Sequence, residues 1–295
     1  MGILIIHLVN FLISCSSREV DVDLSSHPHS NNSQSEEKDV EFDMYEEDIL
    51  CEDGICFIPT GTMTLGTELE IDEQPIVEIE ISSFYIDQYE VTIAEYDNCI
   101  EEGFCSDIPE YCRNEYFLHE EDPSNFPVVC VTYQQSQDFC NWKDGRLPYE
   151  AEWELAARGR VSYNWPWGNN APLCELSNFR LASIYCIGYL SEVGSYEITS
   201  PFGLHDVAGN VWEWVQDYYT ADRYQNISSE TYQDQPTECV YDEYEAHHVC
   251  NYRSIRGGGF NSTADSLRSA SRSFTDPNVQ DNNLGFRCAY NDSDG

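Results

Sequence analysis

The chain has 295 residues, 54 of them acidic and 14 basic, for a formal net charge of −40 at pH 7. Phosphate backbones and anionic lipid repel such a chain, so nucleic acid is excluded as a partner and a membrane is reached only through an anchor. Thirteen cysteines and an aromatic content of 13% point to a cross-linked domain with a sizeable core.

Ile3 to Ile13 is an apolar run broken by His7 and Asn10. A membrane span needs about 20 apolar residues, so this run fits the core of a secretory signal instead. It ends in Leu12-Ile13-Ser14-Cys15, which resembles a bacterial lipobox with Cys15 as the lipidated residue. Residues 1–15 are therefore expected to be a lipoprotein signal. The protein is then exported and lipid-anchored to a bacterial membrane, on its periplasmic face or at the cell surface. A plain signal peptide with an incidental cysteine is the alternative, and no Lys or Arg precedes the run. Residues 16–50 carry eleven acids against two bases and few large apolar side chains. They are expected to be a disordered, extended tether.

Residues 51–295 read as one domain. Ile76 to Ile81 alternates apolar residues with acids, and Phe84-Tyr85-Ile86 follows as a second strand. Thr92 with Glu95 is a capping box that opens a helix through Tyr96 towards Cys99. Thr132 with Gln135 is another, leading through Phe139, Cys140 and Trp142 to a stop at Gly145. Pro148 suits the first turn of a third helix, Glu150 to Ala157, ending near Gly159. Beyond Arg160 the chain is rich in Gly, Asn, Pro and aromatics with little periodicity. Cross-links, bound ions and aromatic packing are expected to hold that part.

The remaining polar residues carry weaker signals. Glu150, Glu152 and Glu154 stand two apart on the third helix and are not expected to share a face, which argues against paired-carboxylate chemistry there. Arg256, Arg268 and Arg272 are rare bases, placed as candidates to line a groove and meet an acidic ligand, although such arginines more often form buried ion pairs with carboxylates. His247 and His248 form a lone dyad, too little for a zinc site.

A series of motifs then becomes recognisable. It begins with Ile58-Pro59-Thr60-Gly61-Thr62-Met63-Thr64-Leu65-Gly66, Phe84-Tyr85-Ile86-Asp87 and Tyr89-Glu90-Val91-Thr92. Gly145-Arg146-Leu147-Pro148, Glu150-Ala151-Glu152-Trp153-Glu154, Ala156-Ala157-Arg158-Gly159 and Pro166-Trp167-Gly168-Asn169 continue it. Gly203-Leu204, Ala208-Gly209-Asn210-Val211-Trp212-Glu213-Trp214, Arg256-Gly257-Gly258-Gly259-Phe260 and Leu284-Gly285-Phe286-Arg287-Cys288 complete it. In this order and spacing the chain resembles the formylglycine-generating (sulfatase-modifying) enzyme family. The resemblance implies an α+β fold of the C-type-lectin-like kind, disulfide-rich and with little regular secondary structure. That family includes copper-dependent oxidases that turn a sulfatase cysteine into formylglycine, and relatives without that activity.

The resemblance also assigns positions. It implies calcium at Asp206, the carbonyls of Gly209 and Val211, and Glu213, a hard-oxygen set of the kind calcium takes. Packing and hydrogen bonding alone are the other reading of this loop. A second calcium site would begin at Asn178 and Phe179, but no acid matches its other ligands. Cys140 and Cys288 match a family disulfide, whereas Ala157 and Ser269 stand where a second would be. With Cys15 set aside, the other ten cysteines can pair locally as Cys51–Cys56, Cys99–Cys105, Cys112–Cys130, Cys174–Cys186 and Cys239–Cys250, although sequence does not fix the connectivity.

The family's oxidases place a cysteine pair after a Gly-Gly-Ser motif, where it binds copper(I). Here Ser262 takes the first cysteine position, the shorter segment leaves no residue for the second, and Gly259 replaces the motif serine. An alcohol neither holds copper(I) nor exchanges with a disulfide, so copper is not expected. Cys239 and Cys250 could substitute only by folding back over the groove, and nothing in the sequence places Ser262, Asp265 and His205 together as a nucleophile set. The expected function is a calcium- and disulfide-stabilised module binding a peptide or glycan. A formylglycine-generating oxidase and a structural envelope lipoprotein are the alternatives.

Overall fold

The computed structural model describes residues 49–119, 121–227 and 252–292. The expected signal with Cys15, the tether up to residue 48, His247, His248, Cys239 and Cys250 lie outside those residues.

The described chain opens on a hairpin, β1 (Cys51–Glu52) and β2 (Ile55–Ile58), turned at Asp53-Gly54. Both turn residues have positive φ, 51° and 80°, as a two-residue hairpin turn of the primed type requires. Phe57 N already donates to the Leu50 carbonyl at 2.9 Å, so the ordered domain begins slightly before Cys51. β3 (Gly61–Leu65) and β4 (Val77–Ile81) form an antiparallel ribbon. As the alternation predicts, Ile79 and Ile81 are buried and Glu78 and Glu80 exposed. β5 (Phe84–Asp87) pairs with β2.

The helices follow. α1 (Ile93–Glu101) and α3 (Tyr133–Trp142) carry the predicted capping boxes: Thr92 and Thr132 accept from the third-position amides, and Glu95 and Gln135 reach back to the cap amides. Between them lies α2 (Glu110–His119), which no sequence signal announced. α4 (Glu150–Arg158) ends at Gly159, whose φ of 66° suits glycine.

The last part is built from short strands: β6 (Arg180–Leu181), β7 (Ile184–Tyr185), β8 (Trp212–Tyr218), β9 (Arg253–Arg256), β10 (Ser273–Thr275), β11 (Leu284–Gly285) and β12 (Ala289–Asn291). One sheet runs β1-β2-β5-β12 and another β10-β9-β8-β11, with only β8 and β11 parallel. The mixture of short helices and small sheets is the α+β class expected.

Five disulfides join Cys51–Cys56, Cys99–Cys105, Cys112–Cys130, Cys140–Cys288 and Cys174–Cys186. These use all ten described cysteines. Four are local staples, while Cys140–Cys288 ties α3 to the approach to β12 across 148 residues.

α4 is buried along its whole length, acids included. Trp153, Leu155, Ala156 and Ala157 pack with Ile58, Met63, Leu65 and Phe202. Covering Trp153 alone contributes on the order of 5 kcal/mol of apolar burial. Its acids persist inside because each meets a cation. Glu152 is paired with Arg146, Glu154 with Arg158 and Arg256, and Glu150 with Arg272 and Arg256. The helix is thus an amphipathic element turned outside in, with arginines where water would be.

Two expectations are corrected by this arrangement. Glu150 and Glu154, four apart, do share a face and converge on Arg256, because the i, i+4 relation governs and not the two-residue step. Arg256, Arg268 and Arg272 do not line a groove. Arg256 is buried between Glu150 and Glu154, Arg268 makes a two-pronged pair with Glu73 at 2.7 and 2.9 Å, and Arg272 another with Glu150 at 2.8 and 2.9 Å. A guanidinium has too much donor capacity to stay in an interior without carboxylates, and these carboxylates supply it.

Candidate functional site

β9 delivers Arg256 into the interior and then runs directly into the glycine segment. Gly257 and Gly258 have φ of 93° and 78°, and a Cβ on Gly258 would lie 2.9 Å from the Leu267 side chain. Glycine is required there by both conformation and space. The segment then folds back on itself. Ser262 N donates to Gly259 O at 2.8 Å, and Gly259 N donates to Ser262 Oγ at 3.0 Å. The residue at the family's first cysteine position is therefore a turn-closing hydroxyl.

Three elements hold this segment. Arg180 N donates to the Ser262 carbonyl at 2.9 Å, which hangs the β6–β7 hairpin on it. Phe260 N donates to Asn210 O at 2.7 Å, and Asn283 Nδ2 to Asn261 Oδ1 at 2.8 Å. Ser262 thus lies beside Arg180 and Asn261, with partly exposed Trp212 near Gly259. His205 is engaged elsewhere, bonded to Tyr196 O and stacked on Tyr89, and Asp265 is exposed. Those contacts do not join them to Ser262 as a nucleophile set.

The Asp206–Glu213 loop is shaped by three left-handed residues, Asp206 (φ 59°), Gly209 (96°) and Asn210 (58°). A Cβ on Gly209 would lie 2.4 Å from Asn178 O, so the loop packs directly on Asn178. Asn210 is the hub, and sequence reasoning missed it. Its Nδ2 donates to Glu90 Oε2 at 2.7 Å, and its Oδ1 accepts from Ser191 N at 2.9 Å. Glu90, also missed, accepts from Val211 N as well. The signal for both was the motif series itself, which contains Tyr89-Glu90-Val91-Thr92 and Gly209-Asn210.

The electrostatics of this loop decide how well calcium fits it. Arg287 grips Glu213 with Nε to Oε2 at 2.7 Å and Nη2 to Oε1 at 2.8 Å, and Trp153 Nε1 donates to Oε2 at 2.8 Å. Glu213 therefore has little left to offer a metal. Burial, then the charges of Asp206 and Glu213, push Glu90 well above the usual carboxylate range. Burial pushes Asp206 up as well, against the opposing pull of Gly194 N and Arg287. Raised values favour the protonated forms of Glu90 and Asp206, so a divalent cation would enter this loop by displacing protons.

Among the described residues no three His, Cys, Asp or Glu side chains form a metal-ligand group. A cation here would depend on Asp206 together with the backbone carbonyls of Gly209 and Val211. At the second expected site, Asn178 Nδ2 donates to Tyr189 O at 2.7 Å, and Phe179 O accepts from Cys186 N at 2.9 Å. Asn178 Oδ1 is buried with no partner, one acceptor without a supporting acid.

The two positions at which the resemblance would place a second disulfide carry no cysteine. Ala157 and Ser269 are both buried, and the Ser269 hydroxyl has no hydrogen-bond partner.

Comparison with known proteins agrees with this geometry. Residues 42–292 match the FGE-sulfatase family, the sulfatase-modifying factor enzyme 1-like domain. The chain is 31% identical over 251 residues to the serine/threonine-protein kinase pkn1 of Chlamydia caviae, covering 79% of this chain but 37% of the kinase. It is 28% identical over 293 residues to the formylglycine-generating enzyme of Thermomonospora curvata, covering 80% of this chain and 93% of that one. Among solved structures, PvdO from Pseudomonas aeruginosa shares the fold, with a TM-score of 0.63 at 24% identity over 80% of this chain and 93% of PvdO. With the glycine segment, the Trp212-Glu213-Trp214 strand and the Cys140–Cys288 bridge in their places, the chain belongs to the sulfatase-modifying factor enzyme 1-like family.

Proposed function

We propose that this domain is a binding module on the formylglycine-generating-enzyme scaffold and not an oxidase. One observation carries the reading: the residue at the reactive position is Ser262, and its hydroxyl is already engaged with Gly259 N. Thiol–disulfide exchange needs a thiolate, and copper(I) needs soft sulfur. What the segment offers instead is a firmly held rim of Trp212, Asn261 and Ser262 beside the β6–β7 hairpin, a surface suited to holding a peptide or glycan.

Calcium belongs to this proposal. Asp206 and the carbonyls of Gly209 and Val211 would hold it. The ion would supply electrostatic balance and rigidity to the loop that supports Phe260 through Asn210. Chelation should then lower the melting temperature and calcium restore it, a hundredfold excess over Kd adding about 2.7 kcal/mol of stability. Asp206→Asn should blunt that response. Identical melting with calcium and with chelator would remove the ion from the account.

The protein is further proposed to be an exported lipoprotein. Five disulfides suit an oxidising compartment, and Leu12-Ile13-Ser14-Cys15 provides the lipobox. No described helix is long and apolar enough to cross a membrane. Metabolic labelling with a palmitate analogue should mark the protein, and Cys15→Ser should abolish the label. Unchanged labelling of Cys15→Ser would refute the anchor. The binding reading is tested by screening peptide and glycan arrays with the exported protein, with and without calcium. Conversion of a sulfatase cysteine peptide to formylglycine by the same preparation would overturn it.

A further inference from the structure

We infer that Arg180 and the β6–β7 hairpin recognise a peptide through a carboxylate set among apolar side chains, an assignment that rests on the binding-module reading and names its ligand class. The described arginines of this acidic chain are mostly spoken for. Arg113, Arg146, Arg158, Arg256, Arg268 and Arg287 each hold at least one carboxylate. Arg180 is different. It is partly exposed and no carboxylate pairs with it among the described residues; its Nε, like those of Arg223 and Arg256, has no acceptor. The exposed end of a guanidinium that meets no carboxylate in its own chain is available to a ligand's acceptor.

Its position gives that explanation weight. Arg180 N holds the Ser262 carbonyl, so the guanidinium springs from the rim of the segment at which the family's chemistry would occur. The hairpin registers Arg180 opposite Tyr185 and Leu181 opposite Ile184. Opposed residues share a face, so cation and phenol stand on one side of the ribbon and two aliphatic side chains on the other. Ile184 is 71% exposed, Ile187 56% and Tyr185 48%, with Leu173 and Leu181 exposed beside them. The base of the hairpin is stapled by Cys174–Cys186 and by Cys186 N to Phe179 O. A hairpin held in this way loses little freedom on binding.

The charge pattern selects the ligand. A guanidinium matches a carboxylate with two parallel hydrogen bonds. A chain of net charge −40 repels a polyanion but tolerates a single acid. The ligand chemistry is therefore one Asp or Glu side chain, or a peptide C-terminus, flanked by apolar or aromatic residues.

The test uses the exported full chain and two peptide pools, acetylated and amidated, with random apolar or aromatic residues around a central Asp or a central Asn. The wild type should bind the Asp pool about tenfold or more tightly than the Asn pool. Arg180→Gln should erase the preference and Arg180→Lys keep part of it, with melting unchanged because the side chain makes no internal bond. Equal binding of both pools that is lost in Ile184→Ser with Ile187→Ser would overturn the role of Arg180 and leave the module reading standing. An Asp preference that survives in Arg180→Gln would do the same. Binding of neither pool would overturn both.

Discussion

Replacing Glu150 by Gln tests the inverted charge core most sharply. The carboxylate is buried and accepts from Arg272 Nε and Nη2 at 2.8 and 2.9 Å, from Arg256 Nη1 at 3.3 Å and from Ser254 Oγ at 3.2 Å. Burial alone would raise its pKa, but Arg272 and then Arg256 hold it below the ordinary range, so it is charged at neutral pH. The glutamine keeps the shape and removes the charge. Arg256 retains Glu154, whereas Arg272 is left with the carbonyls of Asp72 and Thr220. Breaking one partner of a buried pair costs about 3–5 kcal/mol. In a domain of this size each kcal/mol lowers Tm by about 2–4 °C, which makes the expected drop about 6–20 °C. The assay is thermal unfolding of the oxidised protein, with exposed Glu80→Gln as control. Arg272→Met and the double variant complete a cycle in which the two losses should not add. A loss below about 1 kcal/mol, the range of a surface pair, would refute the claim that these charges are matched in the interior.

Two further outcomes follow from the same structure. Removing Cys140–Cys288, which closes 148 residues, should destabilise by about 5 kcal/mol, against about 2 kcal/mol for Cys51–Cys56, which closes five. Paired Cys→Ala variants in chemical denaturation check the ranking. Asp87 is raised by burial from 3.8 to about 6 despite hydrogen bonds from Cys288 N and Tyr290 Oη. Its folded form binds the proton more tightly, so its contribution is present below pH about 4 and is lost as the pH rises through about 6. Asp87→Asn should abolish that fall, worth on the order of 2–3 kcal/mol, and parallel stability–pH curves for the two proteins would contradict it.

Much of the frame was legible in the sequence because it is written locally. Thr92, Thr132 and Gly159 mark helix ends by satisfying or terminating backbone hydrogen bonds, and each does so where its spacing says. The alternation in Val77–Ile81 likewise separates core from solvent. What was not legible depends on distant partners. Nothing near Glu150 announces Arg272, 122 positions away, so the acids of α4 read as pointing to different faces and the arginines were placed at a groove. α2 lacks a capping box and a strong apolar stripe, and it sits between the Cys99–Cys105 staple and the bridge from Cys112 to Cys130. Asn210 is a hub only because Glu90 and Ser191 converge on it. The candidate site was legible as Ser262 and the Asp206–Glu213 loop, while Arg180 came only from the hairpin register.

The proposed binding module carries out no sulfur chemistry. A quantitative thiol titration of the exported, unreduced protein under denaturing conditions tests it most directly. All twelve cysteines other than Cys15 should be oxidised, giving no reactive thiol. Two free thiols mapping to Cys239 and Cys250, together with copper(I) uptake, would mean that a substitute pair exists and that the domain is an oxidase after all.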